Sequence, residues 1–341
     1  MALLTKDQIN LFSKLTFRKS WNALLINFSF FLSNILKSNI QWGMPYAFSV
    51  EPTTSCNLRC PECPSGLRSF TRATGSIPLT NFKQIVDSYS KKAFYLTLYF
   101  QGEPYLNKEF LNLVSYAHQK KLYIATSTNA HYLDKETAIK TVKSGLDRLI
   151  VSIDGTTQST YESYRVGGNL EKVKEGLKNI ITAKKELKSS TPYVVLQFLV
   201  VGPNEHQIEE IKALGETYGA DEVKLKTAQI YNFKHGSPLI PKNEKYARYI
   251  QQKDGTYKLK NSLENECWRM WHSNVVTWDG DVVPCCFDKD AKYVMGNVLK
   301  NDLTSIWKNK KYNSFRTQLF TNRNNIDICQ NCTEGSKIYS D

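Results

Sequence analysis

Three cysteines crowd into eight residues, Cys56-Asn-Leu-Arg-Cys60-Pro-Glu-Cys63, with the spacing C-x3-C-x2-C. Thiolates are soft ligands that suit iron–sulfur clusters, and three in one loop hold three corners of an iron–sulfur cube. No fourth cysteine follows nearby, so one iron keeps an open coordination position. That opening separates a catalytic metal site from a structural one. A zinc knuckle and inert buried thiols are the competing readings. Zinc, however, wants a fourth Cys or His close by, and the next histidine is His118.

The other five of the eight cysteines lie near the end of the chain: Cys267, Cys285, Cys286, Cys329 and Cys332. Between them, Val275-Val-Thr-Trp-Asp279-Gly280-Asp-Val-Val-Pro-Cys285 reads as a β-hairpin on an Asp-Gly turn. A helix around Leu303–Phe315 and a closing C-x-x-C complete a module too small to fold on its own core. Four-cysteine zinc and an iron–sulfur cluster both suit such a pattern. The fifth thiol, Cys286, is either simply buried or faces a substrate cavity. His272 and Asp288 stand beside it as candidate proton acceptors.

Positioning these groups takes a scaffold. Strand-like runs at Tyr46–Val50, Tyr95–Phe100, Leu122–Ser127, Arg148–Ile153, Tyr193–Val201 and Glu222–Lys226 alternate with helical patterns around Asn81–Tyr89, Lys108–Gln119, Lys135–Lys143, Leu170–Leu187 and Glu205–Tyr218. Such alternation means βαβ units and a parallel sheet. Six units are too few for a closed eight-stranded barrel. Ligands of parallel β/α folds sit at the carboxyl ends of the strands. Three short segments fall there: Gln101-Gly102-Glu103-Pro104, Ser127-Thr128-Asn129 and Ser152-Ile153-Asp154-Gly155. Ser152 and Asp154 share one face of their strand. Gln197, Asn204 and the alternating Lys224 and Lys226 are further polar candidates on strands five and six, each with an ordinary structural alternative.

The first cysteine loop, directly after a first strand, resembles the radical S-adenosylmethionine (SAM) superfamily. The resemblance implies that Cys56, Cys60 and Cys63 hold a [4Fe–4S] cluster whose open iron chelates the amino and carboxylate groups of SAM. Reductive cleavage then yields a 5′-deoxyadenosyl radical that abstracts a substrate hydrogen. Gln101-Gly102-Glu103-Pro104 resembles the GGEP motif that receives the SAM amino group, with Gln101 in place of the first glycine. Ser152 and Asp154 match the ribose motif, and Arg165 a residue that meets the SAM carboxylate. Glu62 stands where the family often has an aromatic residue beside adenine. The second cysteine group resembles the SPASM/twitch extension. This implies one auxiliary [4Fe–4S] cluster on Cys267, Cys285, Cys329 and Cys332, with Cys286 to spare. The implied fold is α/β: a partial (β/α)6 TIM-like barrel with a small C-terminal α+β iron–sulfur module.

The expected organisation is a helical lead-in over 1–45, the barrel over 46–230, a polar connection over 231–266 and the cluster module over 267–335. Expected function is hydrogen abstraction from an alcohol, a sugar-type substrate or a peptide side chain, the auxiliary cluster accepting an electron. Redox-neutral peptide modification (epimerisation, or carbon–sulfur or carbon–carbon bond formation) and a non-catalytic iron–sulfur or zinc protein are the alternatives. A small-molecule or peptide substrate and an external donor such as flavodoxin or ferredoxin are the implied partners.

The chain of 341 residues is 41% hydrophobic and 23% charged, an ordinary globular composition. Clustered cysteines without a secretory signal point to metal ligation in a reducing, cytoplasmic setting. A net charge of +13 invites an acidic partner, but no aromatic–basic interleave argues for nucleic acid. Lysines coating helix faces are the simpler reading. In the lead-in, Lys14, Arg18 and Lys19 precede an amphipathic run, Trp21 to Leu36, too short and too amide-rich to span a bilayer. It is expected to pack its apolar face on its own protein. An interfacial anchor over residues 14–37 is the alternative.

Overall fold

A computed structural model describes residues 4–260 and 263–333. Six strands run parallel in chain order: β1 (Ala47–Val50), β2 (Tyr95–Thr97), β3 (Tyr123–Thr128), β4 (Arg148–Ser152), β5 (Tyr193–Val200) and β6 (Glu222–Thr227). The connection after β6 contributes a small antiparallel hairpin, β7 (Tyr249–Gln251) and β8 (Tyr257–Leu259). Then follow β9 (Ser273–Val276), β10 (Asp281–Val283) and β11 (Gly296–Asn297). The module's hairpin turns at Gly280, whose φ of +91° explains the Asp-Gly pair. It forms no sheet of its own. Strand β9 pairs parallel to β1, Ala47 opposite Ser273 and Val50 opposite Val276. One nine-stranded sheet therefore runs β11-β10-β9-β1-β2-β3-β4-β5-β6. The unit expected to stand apart covers the open edge of the barrel, where unpaired backbone groups would otherwise be exposed.

Helices α1 (Lys6–Ser13), α2 (Phe17–Leu36) and α3 (Pro64–Leu67) precede the outer layer of α4 (Leu79–Tyr89), α5 (Phe110–Gln119), α6 (Lys135–Lys143), α7 (Gln158–Tyr164), α8 (Leu170–Glu186) and α9 (Ile208–Tyr218). The module adds α10 (Arg269–His272), α11 (Leu303–Trp307) and α12 (Lys310–Asn322), so the single helix expected there is broken in two. Asn309 breaks it by capping α12, its side chain accepting from the Tyr312 amide.

Alternation along the strands sorts the side chains. Phe48, Leu96, Leu149, Val151, Leu196 and Phe198 are completely or almost completely buried against the helices, with Phe48 stacked on Tyr89 of α4 at 4.1 Å. Burying each such side chain contributes about 1.5–3 kcal/mol, so this face holds the barrel together. The other face carries Ser49, Thr97, Ser127 and Ser152, small or polar residues that leave a lumen.

The amino-terminal end of the lumen is plugged by α1. Asp7 pairs with Arg148 and accepts from the Tyr123 hydroxyl, while Asn10 and Lys14 reach Asp147 at 2.8 and 2.9 Å. Helix α2 lies across the same end, but not as its apolar pattern suggests. Its buried residues are Lys19, Asn22, Ile26, Ser29 and Ser33. Asn22 both donates to the Met44 carbonyl (2.7 Å) and accepts from the Met44 amide (2.9 Å). Lys19 donates to the Lys121 carbonyl at 2.9 Å. These polar groups satisfy loop backbone just ahead of β1 and β3, and Ile26 and Phe30 pack beside them, Phe30 4.9 Å from Trp268, so a mixed face packs and the larger apolar stripe does not. The expectation that the apolar face packs is corrected accordingly.

Candidate active site

The loop between β1 and α3 delivers Cys56, Cys60 and Cys63 to the carboxyl end of the sheet, and none of the eight cysteines is in a disulfide. All three line a cavity of about 160 Å³ with Gly102, Glu103, Ser127, Ser152 and Arg165. Burial pushes the Cys56 thiol up to about 11 and raises Cys60, although Arg165 opposes the latter. A buried thiol cluster of this kind gains its negative charge with a metal rather than alone.

Each motif residue has a definite place. Gly102 has φ of +74°, and a Cβ there would lie 2.3 Å from the Thr53 carbonyl, so a side chain would push the cysteine loop away. Its amide donates to Ser65 Oγ at 2.9 Å. Gln101 is buried with Oε1 3.9 Å from Cys63 Sγ. Pro104 opens a 3-10 turn that carries Glu103 at its N-cap. Glu103, 2% exposed, accepts from Thr128 Oγ1 at 2.6 Å and the Asn129 amide at 2.8 Å. Burial pushes its carboxyl up to about 7 against these hydrogen bonds and Arg165. Such a group is poised to ionise fully when a cation arrives.

Ser152 and Ser127 meet at 3.3 Å between their hydroxyls, both on the cavity. Asp154 does not line it. Its carboxylate pairs with Arg165 Nε and accepts from the Leu199 amide at 2.7 Å. Shared strand parity therefore fails to bring Ser152 and Asp154 to the same cavity, because the chain has left the strand by Ile153. Arg165 itself reaches the cavity; burial works against its charge, but Asp154 and Cys60 hold it above its ordinary value. Asn204 is a backbone staple, donating to the Asp154 and Leu199 carbonyls at 3.0 and 2.9 Å. Glu62 accepts from the Tyr231 amide at 2.8 Å, so it ties the cysteine loop to the connection after β6.

The second group of cysteines gathers around Arg323, which is 1% exposed. Its Nη2 donates to Cys332 Sγ at 3.5 Å, and Cys267, Cys332 and Cys329 together raise its pKa in spite of burial. Cys285 is raised by burial and by the neighbouring Cys286, Cys267 and Cys332. A buried guanidinium beside three thiols, with Cys285 next to two of them, fits a thiolate cluster, whose negative charge compensates it. Among the described residues no three Cys, His, Asp or Glu side chains close on a single metal ion; a cubane spreads its ligands more widely than a mononuclear zinc site does.

Neither proposed proton acceptor faces the small cavity. His272 stacks on Tyr46 with Nδ1 3.0 Å from the Trp268 carbonyl, low in the lumen. Asp288 accepts from the Lys292 and Tyr293 amides at 2.8 and 2.9 Å and so holds a turn, and it lines a larger cavity at the module's edge. What the sequence did not single out is Lys289. Its ammonium donates to Tyr231 Oη at 2.8 Å and Gln229 Oε1 at 3.3 Å, with Cys63, Cys286, Arg248 and Glu62 around it. It lines a cavity of about 910 Å³ between α3, the connection and the module. Nearby, Arg72 forms a bidentate pair with Glu51 at 2.9 and 2.6 Å and donates from Nε to the Lys289 carbonyl at 3.1 Å. Asp290 accepts from the Thr71 amide at 2.8 Å. Module and cysteine loop are thus stitched together at the mouth. No spacing rule marks the Thr71–Asp290 and Arg72–Lys289 contacts, because their partners are more than two hundred residues apart.

A parallel β/α sheet with a three-thiol loop at its carboxyl end, and a second thiol centre on the same sheet, defines a class of protein built around two thiol centres. Residues 50–215 match the radical SAM superfamily and residues 267–333 the SPASM iron–sulfur cluster-binding domain. The chain belongs to the radical SAM superfamily and carries a SPASM domain. It is an enzyme whose cofactors are a SAM-binding [4Fe–4S] cluster, SAM itself and an auxiliary [4Fe–4S] cluster. Over 334 residues it is 24% identical to the tungsten-containing aldehyde ferredoxin oxidoreductase cofactor-modifying protein of Pyrococcus furiosus, covering 85% of this chain and 87% of that one. It is 25% identical over 202 residues to the PqqA peptide cyclase of Gluconobacter oxydans, covering 59% of this chain and only 54% of the cyclase. Streptococcus suis SuiB bound to S-adenosylmethionine shares the fold, with TM-score 0.63 and 13% identity over 84% of this chain and 70% of SuiB. SuiB is also known bound to its precursor peptide SuiA. Among the described residues no helix is long and apolar enough to cross a membrane.

Proposed function

We propose that the enzyme removes a hydrogen atom from a side chain of a peptide substrate and oxidises it, the auxiliary cluster taking up the electron left behind. When bound, the first cluster and SAM supply a 5′-deoxyadenosyl radical as the hydrogen acceptor. Cys56, Cys60 and Cys63 would hold that cluster, and Cys267, Cys285, Cys329 and Cys332 the auxiliary one. Glu103 would accept the SAM ammonium and Arg165, held by Asp154, its carboxylate, in charge-assisted hydrogen bonds. Ser127 and Ser152 offer hydroxyls to the ribose. The Arg72–Glu51 pair and the Asp290 contacts brace the mouth by fixing the module against the cysteine loop.

The observation that carries the peptide reading is the cavity of about 910 Å³ between cysteine loop and module. It is wide enough for a peptide segment and offers both charged and aromatic walls: Lys289, Lys292, Asp290 and Asp327 beside Tyr231, Phe233 and Phe287. The peptide substrates named for the cyclase and for SuiB agree with it. The test is anaerobic incubation of the reconstituted, reduced enzyme with SAM and short peptides encoded beside its gene. A peptide lighter by two hydrogens, with 5′-deoxyadenosine formed, supports the reading. An inverted stereocentre at unchanged mass would move the enzyme to redox-neutral epimerisation, and a loss of two hydrogens that fragmentation places at a new carbon–carbon or carbon–sulfur link would make it a cross-linking enzyme.

A further inference from the structure

Helices α1 and α2 leave an apolar surface bare. Phe17, Trp21, Leu24, Phe28, Phe31 and Ile35 follow one another at steps of four and three residues, a continuous stripe along α2. Phe17 is 88% exposed, and Leu24 and Ile35 each 60%. Leu4 and, on α1, Ile9 and Phe12 are exposed as well, and Trp42 stands beside Phe28 at 5.7 Å between rings. Exposed apolar residues scattered singly need no account; a contiguous surface of large ones marks a binding face.

Charge identifies the partner. From residue 8 to residue 50 there is no Asp or Glu, while Lys14, Arg18, Lys19 and Lys37 are present. Lys14 and Lys19 are engaged inside the fold, leaving Lys6, Arg18 and Lys37 in solvent. Lys92 joins them: burial and the adjacent Arg18 and Lys308 all lower its pKa, so three cations cluster at the edge of the stripe. Helix-to-helix pairing of two copies would set like charges against each other with no acid to answer them. Anionic lipid answers all of them. The aromatic residues, two tryptophans among them, suit the interfacial zone.

We propose that this surface lays the enzyme on an anionic lipid bilayer, with α2 parallel to the membrane plane and its apolar stripe among the acyl chains. No described helix can span the bilayer, so the attachment is interfacial and reversible. Helix α2 bonds to carbonyls at Met44 and Lys121, ahead of β1 and β3, whereas the cysteine loop follows β1. The lipid-facing end is therefore the amino-terminal end of the barrel, and the cavity mouth points into solvent, free to receive substrate.

The full chain, loaded with clusters, is sedimented with vesicles of phosphatidylcholine alone and of phosphatidylcholine with about 30% phosphatidylglycerol. The expected result is sedimentation with the anionic vesicles, lost at high salt as charges are screened. Replacing Trp21, Leu24 and Phe28 together by Gln weakens binding more than tenfold while iron content and SAM binding stay unchanged, since all three point outward. Arg18→Glu with Lys37→Glu removes the preference for anionic over neutral vesicles. A wild-type chain that stays in the supernatant with both vesicles overturns the proposal. So does a wild-type dimer in ultracentrifugation that the Trp21, Leu24 and Phe28 replacements dissociate, since a second copy then occupies the stripe.

Discussion

Burial almost wholly removes the Glu103 carboxyl from water and pushes its pKa up to about 7, so its ionisation responds to a cationic ligand. If it receives the SAM ammonium, binding lowers its pKa. Near pH 6 the free site is then mainly protonated and the occupied one ionised, so SAM binding releases up to one proton. Above pH 8 both forms are ionised and this release vanishes, so affinity rises with pH through 7 and then levels. Calorimetry in two buffers of different ionisation enthalpy reads the proton directly, and Glu103→Gln should abolish the release and weaken SAM about 10–100-fold, the worth of a charged hydrogen bond. A release that survives in Glu103→Gln would assign the proton elsewhere. Asp154→Asn tests the residue behind Arg165: SAM should bind roughly tenfold more weakly although Asp154 does not line the cavity, and Arg165→Lys should not restore it. At this scale the cysteine loop and Gln101–Pro104 were legible because their spacing is local. The roles of Asp154, Asp288 and His272 were not, because each depends on a partner that composition does not reveal: Arg165, two backbone amides of a turn, and the Tyr46 ring.

Strands and helices were read largely in place, since a buried parallel sheet and its covering helices impose strong hydrophobic periodicity. The misreadings are instructive. Helix α7 is short and polar and carried no periodic signal. The amphipathicity of α2 was plain, yet its direction was inverted: a pattern marks two faces without saying which meets the protein. Asn22 decides it by bonding a loop amide and carbonyl that no apolar side chain could satisfy. Asn22→Leu should therefore destabilise the fold despite adding an apolar side chain, by about 1–3 kcal/mol for the backbone groups left unsatisfied, seen as a lower midpoint in thermal unfolding. The clamp between module and cysteine loop gives a second test. Glu51 is fully buried and Arg72 nearly so, and breaking such a pair from one side costs about 3–5 kcal/mol. Glu51→Gln should lower the thermal midpoint by roughly 5–10 °C, and proteolysis should open the segment 68–75 first. No change in either would show that the contacts at Asp290 suffice.

One nine-stranded sheet carries both thiol centres, because β9 of the module docks beside β1 of the barrel. Sequence showed two cysteine groups and suggested two units; only the register of Ala47 with Ser273 shows that they share a backbone ladder. A rigid ladder fixes the separation of the centres, which an electron-transfer role requires. Deleting the module would test this badly, since the barrel edge would be exposed with it. Arg323 offers a finer probe. Its guanidinium is buried against Cys267, Cys329 and Cys332 and is held by the Glu264 and Glu266 carbonyls at 3.2 and 2.6 Å. Hydrogen bonds and positive charge at the sulfurs favour the reduced, more negative state of a cluster. Arg323→Gln should then shift the auxiliary cluster's potential to more negative values in an EPR-monitored titration, while Arg323→Lys keeps most of the charge and shifts it less. The first cluster's potential should stay put in both. Oxidised product should form more slowly in Arg323→Gln at an unaltered rate of SAM cleavage in a single turnover, because only the electron's exit is impeded. A normal potential in Arg323→Gln would show that this cation serves folding alone. A shifted potential with product formation unchanged would take the auxiliary cluster out of the electron's path.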